Sequence, residues 1–430
     1  MKKIFKPFIL SLVIFASVSH IVSSQKLPAY LNDSISLPEY LSAVRKGNLG
    51  YAAGKFDVDM AEAELKASKI FPDPEISVVY SNNEDRILQM GQSLEAGISY
   101  PVSLGNKRRA GIAVARSQYE LSTLMLNAYF QNLRAGAAIK YFEALRYQKI
   151  YLLKTEIYRQ LEKLARADSL RLVAGEATPL DAMQSSLEAK SQLAEVYQSN
   201  ADMQNSYLEL INQMGRKYSD TIIVPAGDFP DQNHEYDLNE LIAGALENRS
   251  ELLAAFKNRE VSENYMNLIK AERAPEFNIE AGYSYNSIVR NEIAPAPEYN
   301  GLSAGISLPL KFSSLNRGNI SAADMAVKQS LTLYEEIRLQ ITSEVIQAYN
   351  NFIARKKKAG HYNTGLIDDA LKILEGRIYS YQHGESGLIE VLNAQRTYTE
   401  LRINFLEALF GYTEALISLE RSAGIWKISD

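Results

Sequence analysis

Glu-Phe-Asn-Ile-Glu-Ala-Gly-Tyr-Ser-Tyr-Asn, residues 276–286, alternates without a slip. Successive side chains on a strand point to opposite faces. Phe277, Ile279, Ala281, Tyr283 and Tyr285 therefore share one face; Asn278, Glu280, Gly282, Ser284 and Asn286 share the other. GLSAGISLPL (301–310) opposes Leu302, Ala304, Ile306 and Leu308 to Ser303, Gly305 and Ser307. Earlier in the chain, Ile76, Val78 and Tyr80, then Leu94, Ala96, Ile98 and Tyr100, show the same period. Strands with one apolar and one polar face suit either a half-buried soluble sheet or a membrane barrel with lipid outside and water inside. What surrounds them decides which.

Around the strands the chain reads as helix. None of the 13 prolines lies between Val102 and Thr178 or after Pro309, and uninterrupted helices need such intervals. Between Lys107 and Ala174, Leu121, Leu124, Leu133, Ala137, Tyr141, Leu145, Leu161 and Leu164 recur at helical spacing. At about 1.5 Å per residue this is a rod of roughly 100 Å, which has to pack in a bundle or a coiled-coil wall.

The plan runs twice. LPEYLSAVRKGN (37–48) matches LNELIAGALENR (238–249), and GISYPVSLGNKR (97–108) matches GISLPLKFSSLNR (305–317). VAGEATPLDAMQSSL (173–187) is answered by QHGESGLIEVLNAQR (382–396). Internal repetition sets the domain reading. A first repeat covers 25–222, with strands at 74–82 and 94–102, a long helix 107–173, a hairpin 174–180 and a helix 180–214. A linker follows at 223–237. The second repeat covers 238–430, with strands at 276–286 and 301–310, a long helix 318–382, a hairpin 383–388 and a helix 388–423.

Lys2, Lys3 and Lys6, the apolar run Phe8–Val18 and a Ser-rich end read as a secretory leader over 1–24, cut near Ser24/Gln25. No later segment has the roughly 20 apolar residues a spanning helix needs, so any membrane crossing in the exported chain uses strands. A net charge of −5 without basic bias argues against nucleic acid. There is no Cys, which removes disulfides and thiolate zinc sites; His234, His361 and His383 lack metal-ligand spacing. HExxH, GxSxG and GxxxxGK are missing, so the sequence carries no enzyme, cofactor or metal signature. Lys107, Arg108 and Arg109, after a strand and at a helix start, either meet lipid head groups or are simply solvated.

Four strands cannot close a barrel, and an open edge in lipid leaves backbone groups unpaired at several kcal/mol each. Placed in a membrane, the chain has to pool strands with other copies, and three copies give twelve.

This layout resembles the outer-membrane efflux protein family, the TolC-like channels. GISYPVSLGNKRRAGIAVA (97–115), YSYQHGESGLIEVLNAQRTY (379–398) and the paired openings of the halves carry the likeness. Leu104–Arg109 is similar to the branch serving heavy-metal pumps. The resemblance implies a mainly α fold with a small β part: a long α-helical coiled-coil barrel in the periplasm, plus four strands per chain in a trimeric twelve-stranded outer-membrane β-barrel. It implies a Gram-negative exit duct for small molecules or metal ions, as a homotrimer with a periplasmic adaptor and an inner-membrane pump of the RND type. It further implies that Gly175, Glu176, Gly384, Glu385 and Gly387 form adaptor-facing tips, and that Asp181, Glu390, Asn393 and Tyr381 line the periplasmic aperture. Asn393 and Ser386 depart from the pattern, which often has a carboxylate at the first position and in some members an arginine at the second. Read from spacing alone, Asp181 and Glu390 are acids favoured by the dipole in a first helical turn. Export of proteins through the same fold, and a secreted coiled-coil scaffold, are the alternatives.

Overall fold

The computed structural model describes residues 31–430 except 88, 218–220, 310–315, 363 and 429–430. The leader assigned to 1–24 lies outside the described residues.

After β1 (Leu31–Ile35), two short helices, α1 (Leu37–Gly47) and α2 (Leu49–Ala67), lead into β2 (Glu75–Asn82) and β3 (Gln92–Ser103). A 67-residue helix, α3 (Lys107–Val173), then turns into α4 (Pro179–Gln213). β4 (Thr221–Pro225) follows, and the order recurs: α5 (Leu238–Asn248), α6 (Ser250–Ala271), β5 (Glu276–Asn286), β6 (Tyr299–Ser307), α7 (Arg317–Tyr362), α8 (Leu366–Gln382) and α9 (Leu388–Ala423). α3 packs along α2, α4, α6 and α9, and α7 along α6 and α9.

The sheet runs β2-β3-β5-β6, antiparallel throughout. Its register carries the alternation across all four strands. Ile76 lies opposite Ile98, Ile98 opposite Ala281, and Ala281 opposite Ala304. The other face reads Glu75, Ser99, Glu280, Gly305 across the same strands. Nothing among the described residues covers the apolar side: Leu302 is 89% and Ile76 74% exposed. A half-buried soluble sheet hides that face; this one does not.

Where the helices end, a belt gathers. β1 pairs with β4 in parallel, and Tyr40, Tyr141, Leu210 and Met214 are buried beside them. Gly215 (φ 63°) lies against Gly47 so closely that an added Cβ would sit 2.0 Å from the Gly47 carbonyl oxygen. The fully buried Glu420 accepts hydrogen bonds from the Tyr236 hydroxyl (2.7 Å) and the Lys427 amide (2.8 Å), fastening the C-terminal tail and the linker to α9. The expected linker 223–237 thus includes most of β4. Its partner is β1, which precedes the first repeat's opening helix; neither five-residue strand shows a usable period.

One expectation fails. The single helix expected over 318–382 is two, α7 ending at Tyr362 and α8 starting at Leu366, with Gly365 left-handed at φ 92° as the N-cap of α8. A left-handed residue interrupts the 3.6-residue winding, and glycine takes that conformation without steric cost. The strand expected over 301–310 also shifts, to Tyr299–Ser307; Pro309 has no N–H to extend the ladder.

Candidate functional site at the two helical hairpins

Both long antiparallel pairs close in the same way. At the end of α3, Gly175 (φ 78°) is left-handed, its N–H donates to Leu172 O (3.1 Å), and the Glu176 N–H reaches back to Arg171 O (2.8 Å). At the end of α8, Gly384 (φ 76°) donates to Tyr381 O (3.1 Å) and Glu385 to Ser380 O (2.9 Å). These bonds satisfy carbonyls a helix end otherwise leaves open. Gly175, Glu176, Gly384 and Glu385 form exposed tips. Gly387 is different: it is extended at φ −83° and is the N-cap of α9.

Asp181, in the first turn of α4, is half-buried and engaged locally. The Thr178 hydroxyl donates to its carboxylate at 2.6 Å and accepts from its backbone N–H at 3.1 Å. Glu390, in the first turn of α9, pairs with Arg377 of α8 across the turn. Asn393 is exposed. The local hydrogen bonding of Asp181 is thus that of a helix start, where the dipole stabilises acids, whereas the Glu390 side chain is tied across the turn to α8.

Tyr381 is buried, and there the hairpins meet. Its hydroxyl donates to Asp168 Oδ1 at 2.7 Å, and the Arg171 guanidinium lies 4.9 Å from its ring. Asp168 has no exposed surface, and among the described residues its second carboxylate oxygen has no partner. Burial first, then the hydrogen bond and charge of Asp168, hold the Tyr381 phenol well above its ordinary ionisation range. Asp181 adds a smaller push in the same direction. Around the pair, Leu161, Ala165, Leu388, Val391 and Leu392 close a core joining α3 to α8 and α9, beside a cavity of about 430 Å³ lined by Gln160, Leu164 and Gln395. Among the described residues the buried Ser386 hydroxyl has no partner either.

Sequence reasoning missed Asp168, Arg171 and Arg377. For Asp168 the signal exists: it stands four and seven residues after Leu164 and Leu161, on the apolar stripe of α3, where a carboxylate needs a donor. No group of three metal-ligating side chains occurs among the described residues.

The sequence model described as Outer membrane efflux protein matches residues 241–425. The cobalt-zinc-cadmium resistance protein CzcC of Cupriavidus metallidurans is 22% identical over 434 residues, covering 99% of this chain and all of the relative. Residues 241–425 thus carry the outer membrane efflux protein pattern. Outer membrane protein TolC of Vibrio cholerae is also 22% identical, over 86% of each chain. Among solved structures, CusC superposes with a TM-score of 0.74 at 16% identity, covering 91% of this chain and 92% of that one. The match and the two relatives together support an outer-membrane efflux channel with its helices in the periplasm. No described helix is long and apolar enough to cross a membrane.

Proposed function

We propose that three copies pool their sheets into one twelve-stranded barrel and act as the exit duct of a tripartite efflux system. The observation that carries this reading is the open sheet itself. Among the described residues it has an uncovered apolar face and two edge strands, β2 and β6, without a partner on their outer sides. In lipid each unpaired backbone group costs several kcal/mol, so edge must meet edge on another copy. Cargo enters at the hairpin end, handed over by a periplasmic adaptor and an inner-membrane pump, and the duct does no chemistry. Gly175, Glu176, Gly384, Glu385 and Gly387 meet the adaptor. Asp181, Glu390, Asn393 and Tyr381 surround the aperture, with Asp181 and Glu390 favouring cations. Because Glu390 already pairs with Arg377, Asp181 supplies the larger share of that preference. The similarity to CzcC favours metal ions as cargo.

Two measurements test this. Mass determination in detergent gives a trimer; a monodisperse single copy removes the barrel. Deleting the gene lowers tolerance to cobalt, zinc or cadmium; a deletion that changes only the secreted proteins removes the efflux reading.

A further inference from the structure

We propose that the groove between the start of α3 and the end of α6 holds the phosphate of an anionic phospholipid from the periplasmic leaflet. The proposal rests on the membrane placement of the sheet. The groove, of about 510 Å³, is lined by Arg109 and Lys270 with the side-chain amides of Asn106, Asn264 and Asn267, and by no carboxylate. Both cations are exposed, and neither takes part in an ion pair among the described residues.

Strand parity and helix geometry fix the side on which the groove opens. Lys107 pairs with Glu276 at 2.6 Å, and Glu276 shares its strand parity with Asn278 and Glu280, on the polar face. Arg109 comes two residues later, about 200° further round the helix, and so projects towards the apolar side of the sheet. Its level follows from the register. Val102 and Phe277 are the last opposed pair of the apolar face, and Arg109 lies in the first turn of α3 just below them. Nearby, the Arg108 guanidinium stacks 3.8 Å over the exposed ring of Phe71, the pairing of an aromatic with a cation that suits a membrane–water boundary. The groove lies in the middle of the chain's own wall, below β3 and β5. The edges β2 and β6, where copies would meet, leave it open.

A Lys or Arg at an anionic membrane surface is worth about fivefold in affinity, so the pair is worth roughly thirtyfold. The test is native mass spectrometry of the full channel from nanodiscs of phosphatidylcholine, with and without phosphatidylglycerol. The wild-type channel retains phosphatidylglycerol in preference to phosphatidylcholine. R109Q/K270Q loses roughly ten- to thirtyfold of that preference, R109K/K270R keeps it, and K190Q/K372Q, on the helices of the hairpin end, leaves it unchanged. Inorganic phosphate does not strip the lipid. Equal retention of both lipids, an unaltered R109Q/K270Q channel, or complete stripping by phosphate overturns the proposal. Failure of the wild-type channel to enter either disc would instead undo the membrane placement.

Discussion

Replacing Tyr381 by Phe keeps the ring and deletes one O–H. The hydroxyl is the donor to Asp168 at 2.7 Å, and among the described residues the other Asp168 oxygen has no partner to take over. A hydrogen bond to a charged group contributes about 1.5–3 kcal/mol, and a carboxylate left buried and unpaired pushes the cost to the upper part of that range. At 2–3 kcal/mol, the equilibrium for lifting α8 off α3 shifts roughly 30- to 150-fold. The assay is native-state hydrogen exchange of the full channel, comparing amides 379–395 with those of the belt at 207–214. Tyr381→Phe speeds exchange in the first group by that factor and leaves the second alone. Asp168→Asn keeps an acceptor for the hydroxyl and loosens the hairpin less. Tyr381→Phe with Asp168→Leu removes both polar groups and recovers much of the protection, since an apolar pair of similar shape has nothing to satisfy. The reasoning is refuted if Tyr381→Phe exchanges like wild type, or if the double variant is looser than the two single changes combined.

Further expected outcomes concern charge and backbone. Burial pushes Glu344 and Glu251 up, but hydrogen bonds from Arg249, and from Arg421 to Glu344, outweigh it and leave both lowered. A lowered folded value means their stabilisation is complete above the ordinary carboxylate range and is lost as pH falls through the folded value. Acid titration followed by exchange near α5 and α6 therefore shows loosening only below that range, and Glu344→Gln shifts its onset. Gly215→Ala combines a left-handed φ with a Cβ 2.0 Å from the Gly47 carbonyl oxygen, and lowers stability by about 2–4 kcal/mol as a urea midpoint change. Gly175→Ala has a left-handed φ but nothing within 4 Å of the new methyl, so it costs only about 1–2 kcal/mol. If aperture carboxylates set selectivity, Asp181→Asn lowers cation preference in planar-bilayer recordings more than Glu390→Gln does.

The strands were legible because one apolar residue in every two leaves little alternative; 276–286 matches β5 residue for residue. The span 107–173 was legible too, as a long apolar stripe without proline. The break at Gly365 was not: an absence of proline permits a continuous helix but does not enforce one, and a lone glycine in a helical pattern is usually tolerated. β1 and β4 were hidden because each is five residues long and its partner lies in a distant part of the chain. At the hairpins, spacing identified the turns and first-turn acids but not what they hold. Arg377 and Glu390 meet only because the chain reverses between them, and Tyr381 finds Asp168 only once α8 lies on α3.

Gly365 gives the two arms of one chain different mechanics. α3 runs unbroken from sheet to tip, so a push at its hairpin travels upward as the swing of a whole beam. The other arm has an elbow, and bending concentrates where the winding is interrupted. A load arriving at both tips therefore swings one arm as a whole and bends the other at its joint, and in a ring of copies stiff and jointed arms would alternate around the mouth.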